Sequence, residues 1–287
     1  MLLPKVASIQ DLSGIGRCSL SAALPVLSAM GVQACPLPTA VLSNQTGFES
    51  YAAISLTGQL ADSIGEWQKQ KVAFDAVSTG FLMDAEQADL VGGFLDYARQ
   101  SGSVIIVDPV MGDGGSLYPI YDMDMCKAFT RLIAKADVIT PNLTEACLLA
   151  GAEYPAPGCD HKFIWEVAKR LGELGPHTVV ITGVSGEDED MIYNMAYLAR
   201  QNKRICLPNR KLGGSFSGTG DVLCAIVCGA LARGQDIESA LRLAGQLFEK
   251  AISLSLVQGI DPREGIAFEP FLHILKPAIN FAGGSIT

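Results

Sequence analysis

Charge is scarce in this chain of 287 residues: Asp, Glu, Lys and Arg together make up 18%, against 49% apolar residues. That composition excludes a disordered chain and provides for a large buried core. Basic residues are the scarcer kind, with 21 Lys plus Arg against 30 Asp plus Glu and a formal net charge of -9. Binding nucleic acid through its phosphates needs clustered positive charge, and an anionic membrane surface would repel this chain. Neither partner is expected. An anionic small molecule needs only a local site and stays open.

Addressing and anchoring segments are missing too. Met1 to Gln10 has no basic stretch, no long apolar run and no small-residue cleavage site. The most apolar long run, Val222 to Ala232, falls far short of the roughly 18 residues of a spanning helix. The expectation is a cytoplasmic protein. The eight cysteines form no CxxC and mostly lie in apolar runs, so they read as small buried hydrophobes in a reducing compartment. Cys224 and Cys228 stand four apart on an expected helix, but no His or further Cys follows at ligand spacing. There is no internal repeat and no linker rich in Pro, Gly or Ser. With about 150 residues per domain as a soft prior, the reading is a single α/β domain over 1–287.

What is there is an alternation of short β-rich runs and longer helical patterns. Strands are expected at Lys5 to Gln10, Val32 to Pro36, Asp75 to Thr79, Ser103 to Val107, Asp137 to Thr140 and His177 to Thr182. Helices are expected at Ser19 to Met30, bent at Pro25, and at Ala85 to Ser101, each closed by a glycine. Such βαβ units imply a mostly parallel sheet flanked by helices in three layers. Met191 to Ala199 and Lys203 to Leu207 read as an antiparallel hairpin at the sheet edge. Two helices follow, at roughly Thr219 to Arg233 and Asp236 to Val257.

In an open parallel sheet, ligands bind beyond the carboxyl ends of the strands. Polar and Gly-rich segments follow five of the expected strands: Gln10 to Gly14, Thr79 to Phe81, Asp108 to Gly115, Thr140 to Glu145, and Thr182-Gly183. The strongest local signal is Gly213 to Asp221, a Gly-rich loop running into an apolar helix. Its free N–H groups and the helix dipole form an anion hole, with Asp221 in the first turn. It is neither a Walker A loop nor a GxGxxG fingerprint. Phosphoryl transfer to an alcohol needs this pairing of N–H groups for the moving phosphoryl with a carboxylate for the hydroxyl proton. It also needs a metal, and Asp108 and Glu145 could hold Mg²⁺ directly or through water. Structural readings stand beside these: Asp108 as a turn residue before Pro109, Glu145 as a first-turn helix charge.

Taken in order, Asp108-Pro109-Val110-Met111-Gly112-Asp113, Thr140-Pro141-Asn142-Leu143-Thr144-Glu145 and Gly218-Thr219-Gly220-Asp221 resemble the ribokinase superfamily. Within it, Ser8-Ile9-Gln10, Ser43-Asn44-Gln45-Thr46 and Thr79-Gly80-Phe81 look like the substrate side of the pyridoxal kinase branch. Gly115-Ser116-Leu117-Tyr118 looks like its loop over the site. The resemblance implies a kinase acting on a vitamin B6 vitamer, with ATP, Mg²⁺, often a monovalent cation such as K⁺, and a homodimer. It places the base at Asp221 and the anion hole at Gly218, Thr219 and Gly220. It places metal and phosphate contacts at Asp108, Asp113, Asn142 and Glu145, and the nucleotide strand end at Thr182 and Gly183. Thr46, Phe81 and Tyr118 fall on the substrate side. The loop 112–121, with Tyr118 and Tyr121, is expected to act as a lid.

Two positions depart from that branch. Asp11 stands where Ser usually faces the ring, so a substrate-side carboxylate is expected there, and Gln45 replaces a common His. Hydroxymethylpyrimidine kinases of thiamine synthesis are the alternative, but they usually read Gly-Thr-Gly-Cys where this chain reads Gly-Thr-Gly-Asp. A non-catalytic sensor on the same scaffold would be expected to lose the base or the metal acids, and all are present.

Overall fold

The computed structural model describes residues 3–156, 158–186 and 188–277. The chain opens with β1 (Lys5–Ser13), α1 (Ser19–Ala29), β2 (Gln33–Leu42), β3 (Ala53–Ser55) and α2 (Thr57–Lys69). It continues through β4 (Ala76–Thr79), α3 (Ala85–Gln100), β5 (Val104–Val107), the short pair β6 (Gly112–Asp113) and β7 (Ser116–Leu117), and α4 (Met123–Ile133). Then come β8 (Val138–Ile139), α5 (Leu143–Ala150), α6 (His161–Glu173), β9 (Thr178–Ser185), β10 (Met191–Leu198) and β11 (Lys203–Arg210). The described part ends on α7 (Thr219–Ala232), α8 (Ile237–Gln258) and two short 3₁₀ turns.

The main sheet has the order β11-β10-β9-β8-β5-β4-β1-β2-β3. Its centre, from β9 to β2, is parallel, and antiparallel strands close both edges. Alternate strand residues serve opposite layers. Val6, Ile106 and Val180 pack against α1, α7 and α8. Ala7, Ile105 and Ile181 pack against α2 to α6. Central strands covered on both faces have no solvent side, which is why Val104 to Val107 is an unbroken apolar run. Burying each large side chain stabilises the fold by roughly 1.5–3 kcal/mol, and Phe94 and Phe129 are fully buried.

The chain runs from β1 outward to β2, then returns to β4 on the other side of β1. That reversal opens a crevice beyond the carboxyl ends of β1 and β4.

The structure corrects several boundaries. β1 continues to Ser13 through a register shift between Gln10 and Leu12, so Asp11 lies in the strand rather than in a following loop. β2 runs past Pro36 and Pro38 to Leu42; β3 covers its outer side only from Ala40, so the missing proline N–H groups disrupt no ladder there. β9 passes through Thr182 and Gly183 because β10 pairs with it as far as Ser185. The edge hairpin is β10–β11, and its second strand runs on to Arg210. Of the cysteines, Cys206 is exposed, since it points outward between the buried Ile205 and Leu207. Among the described residues no helix is long and apolar enough to cross a membrane.

Candidate active site

The amino end of α7 sits on the crevice. Gly218 is its N-cap at φ 77°, a left-handed conformation that suits glycine. A Cβ there would stand 2.0 Å from the Arg17 carbonyl oxygen, so the loop before α1 lies directly on this turn. Gly218 brings no capping side chain, and the first N–H groups of α7 therefore face the rim without one. The half-buried Asp221 stands in that first turn and accepts the Ser19 N–H at 2.8 Å through Oδ2. Burial, and then the charge of Asp11, push its carboxyl up to about 7.

Asp108 follows β5 directly and accepts no basic partner. Its backbone N–H donates to the Thr79 carbonyl at 3.0 Å, which fixes it between β4 and β8. Burial, and then the charge of Asp221, raise its carboxyl well above the usual range. Glu145 is raised in the same way, by burial and then by Asp108. Its oxygens accept the Met111 N–H at 3.1 Å and the Asn142 N–H at 2.9 Å. Asn142 returns a cap to the Glu145 N–H at 3.0 Å and donates its side-chain amide to the Gly112 carbonyl at 2.8 Å. The structural reading of Glu145 therefore holds as far as it goes: it closes a capping box. A capping carboxylate has no need of full burial beside a second acid, and this one is 4% exposed.

The charges acting on these acids are one another's. Tyr118 is exposed, 36% of its surface facing solvent, and its hydroxyl is raised by partial burial and by Glu145, Asp113, Asp221 and Asp108 in turn. The Thr79 hydroxyl, at the end of β4, is buried and has no hydrogen-bond partner, while the buried Thr140 hydroxyl at the end of β8 lies against Asp108 and works to lower its carboxyl. A buried orphan hydroxyl and carboxylates with no counter-charge are hard oxygen donors that suit a cation. No three His, Cys, Asp or Glu side chains form a ready cage among the described residues. Mg²⁺ usually takes one or two carboxylates and completes its shell with water and substrate phosphates.

The remaining expected residues are spread around the same rim. Thr182 donates its N–H to the Pro141 carbonyl at 3.0 Å and bridges to Asn142. Gly183 is exposed beside it. Asp113 is exposed and bonds only its neighbour's N–H, Gly114, at 2.8 Å. Phe81 is buried, its ring 6.0 Å from that of Tyr121. Tyr121 is no part of a loose loop: it is buried and donates to the Leu82 carbonyl at 2.6 Å. The β6–β7 ribbon is tied to α5 by Asn142 and by Gly115, whose N–H donates to the Thr144 hydroxyl at 2.9 Å. Thr46 sits half-buried in the turn after Gln45. Gln45 itself is a tether. Its amide donates to the Arg263 carbonyl at 3.0 Å and the Ser217 hydroxyl at 3.3 Å, joining the 43–50 loop to the Gly-rich loop. Sequence reasoning missed Ser19, because no local pattern marks a helix-opening serine as a partner of a residue 202 positions away.

Fold and rim together define a ribokinase-like small-molecule kinase. The chain belongs to the phosphomethylpyrimidine kinase family, which it matches over residues 16–264. It is 39% identical, with a TM-score of 0.92 and 98% of each chain covered, to a Bacteroides thetaiotaomicron protein described as a candidate phosphomethylpyrimidine kinase and crystallised with pyridoxal. Pyridoxal kinase from Lactobacillus plantarum is 31% identical, with a TM-score of 0.85 over 96% of this chain and 97% of that one. The pyridoxine/pyridoxal/pyridoxamine kinase of Bordetella avium is 29% identical over 263 residues, 88% of this chain and 86% of that protein.

Proposed function

We propose that this protein transfers the γ-phosphoryl group of ATP to the ring hydroxymethyl group of a vitamin B6 vitamer. The observation that carries the reading is the raised carboxyl of Asp221 in the uncapped first turn of α7, facing the crevice that Asp108 and Glu145 also line. The relatives named for pyridoxal and its congeners support the choice of substrate.

In the proposed reaction the hydroxyl proton passes to Asp221, the alcohol oxygen bonds to γ-phosphorus, and the bond to the ADP oxygen breaks. The N–H groups of Gly218, Thr219 and Gly220 hold the phosphoryl oxygens. Asp108, with Glu145 through water, would hold Mg²⁺, which neutralises the phosphates when bound. Asn142, Asp113, Thr182 and Gly183 flank the nucleotide. Thr46 and Phe81 shape the ring slot, and Tyr118 covers it from the β6–β7 ribbon. Phosphorylation of a hydroxymethylpyrimidine is the second reading, favoured by the family match.

ADP release with Mg-ATP, measured for pyridoxal, pyridoxine, pyridoxamine and hydroxymethylpyrimidine in parallel, decides between them. Turnover on a pyridine vitamer is expected. Turnover on the pyrimidine alone would transfer the mechanism to the second reading, and none on any of the four would sink both.

A further inference from the structure

Two carboxylates, the buried Asp11 and the half-buried Asp221, meet on one residue. Ser19 opens α1, and its N–H donates to Asp221 Oδ2 at 2.8 Å. Its hydroxyl donates to Asp11 Oδ1. The other oxygen of Asp11 accepts the Ser13 hydroxyl at 2.8 Å. Ser19 does this at φ 48°, in the left-handed region. A residue with a Cβ keeps that conformation only where its surroundings over-determine it. Asp11 and Ser19 are 3% and 6% exposed, so bulk water offers the Ser19 hydroxyl little alternative. The loop is pinned again by the Ser21 hydroxyl, which donates to the Ser13 carbonyl at 2.7 Å, and by the Arg17 N–H, which donates to the Glu264 carbonyl at 2.9 Å.

Asp11 stands where the sequence led us to expect a substrate contact, yet both its oxygens are turned to serine hydroxyls. We propose that Asp11 is a positioning residue: it clamps the Ser19 hydroxyl, and the clamp keeps Ser19 in the conformation that aims its amide at Asp221. Held by Oδ2, Asp221 presents Oδ1 to the substrate hydroxyl. The assignment rests on the reading of Asp221 as the base.

Glycine adopts positive φ without a clamp, so the test is a double-mutant cycle. In the Ser19 background, Asp11→Ala is expected to lower kcat roughly 10- to 100-fold, the scale of a misplaced reacting group, with little change in KM for vitamer or ATP. In a Ser19→Gly background the same substitution should cost less than about threefold, a strong non-additivity. Asp11→Asn keeps one oxygen for the Ser19 hydroxyl and should lose less than Asp11→Ala; it also serves if the alanine variant fails to fold. An equal loss in both backgrounds, or a loss confined to vitamer KM, would overturn the proposal. Hydrogen exchange at the Ser19 amide reads the clamp without turnover. It should speed up by about tenfold or more in Asp11→Ala and by a smaller factor in Asp11→Asn, and unchanged exchange in both would also overturn the clamp. If the parent enzyme phosphorylates none of the four substrates, the functional reading fails and the exchange measurement alone decides this one.

Discussion

The two ends of the same parallel strands treat acidic residues in opposite ways. At the amino edge, Asp137 precedes β8 and has a partner on every side. Its Oδ2 accepts the Ile105 N–H at 2.9 Å, and its Oδ1 lies 3.4 Å from both Arg99 and His177. Asp75, before β4, accepts the Lys5 N–H at 2.7 Å. At the carboxyl edge, Asp108 and Asp221 are raised by burial and by neighbouring acids, and the buried Thr79 hydroxyl has no partner. A set of groups that only needed to hold the sheet together would be satisfied at both ends. Among these acids, the unpaired end is the one kept for a ligand.

The largest effect expected separates the two ends by function. Asp221→Asn should lower kcat by roughly 10²–10⁴-fold, the contribution of a placed general base, with modest change in ATP binding. Asp137→Asn should leave kcat near the parental value. Steady-state kinetics of the pair would break the comparison if Asp221→Asn stays within about tenfold of the parent or if Asp137→Asn falls as far.

Next in size is the turn under the anion hole. Gly218→Ala places a Cβ 2.0 Å from the Arg17 carbonyl oxygen in a left-handed conformation. The cost should be at least about 2 kcal/mol in urea unfolding, together with loss of activity. A variant as stable as the parent would show that the two loops are not packed as described. Asp137→Asn should cost less, about 1–2 kcal/mol, because its partners are half exposed to solvent.

The amino acid sequence made the rim more legible than the edges. Ser103 to Val107 reads as a buried strand because nothing polar interrupts it, and Thr219 and Ile237 begin their helices within a residue of expectation. α2, α4, α6 and the short strands β3, β6 and β7 were not placed in advance; β3, for one, is exposed along its length and has no buried face to pattern it. The motifs located Asp108, Glu145 and Asp221 but could not say how each is held. The capping box of Asn142 and Glu145 follows from an N-cap three residues before an acid. The convergence of Asp11, Ser19 and Asp221 does not follow from spacing, because it depends on β1 ending, and α1 and α7 beginning, at one crevice.

The smallest effect is the one that tests the cost of the unpaired end. The Asp108 carboxyl is held above its ordinary value of 3.8, so the folded protein binds that proton more tightly than the unfolded chain. Its contribution to stability is full below about pH 4 and is lost as pH rises through the raised folded-state value. Asp221 acts in the same direction, with a folded-state value of about 7. At pH 8 the ligand-free protein therefore carries ionised acids that burial disfavours, and Asp108→Asn removes one of them. We expect Asp108→Asn to raise Tm by about 2–4 °C at pH 8 and by clearly less at pH 5, where the parent already holds the proton. Mg-ATP should narrow the gap at pH 8, because a ligand that binds only the folded parent stabilises it. Asp137→Asn should lower Tm at both pH values. If Asp108→Asn lowers it too, the carboxyl end is as well satisfied as the amino end, and the contrast between them disappears.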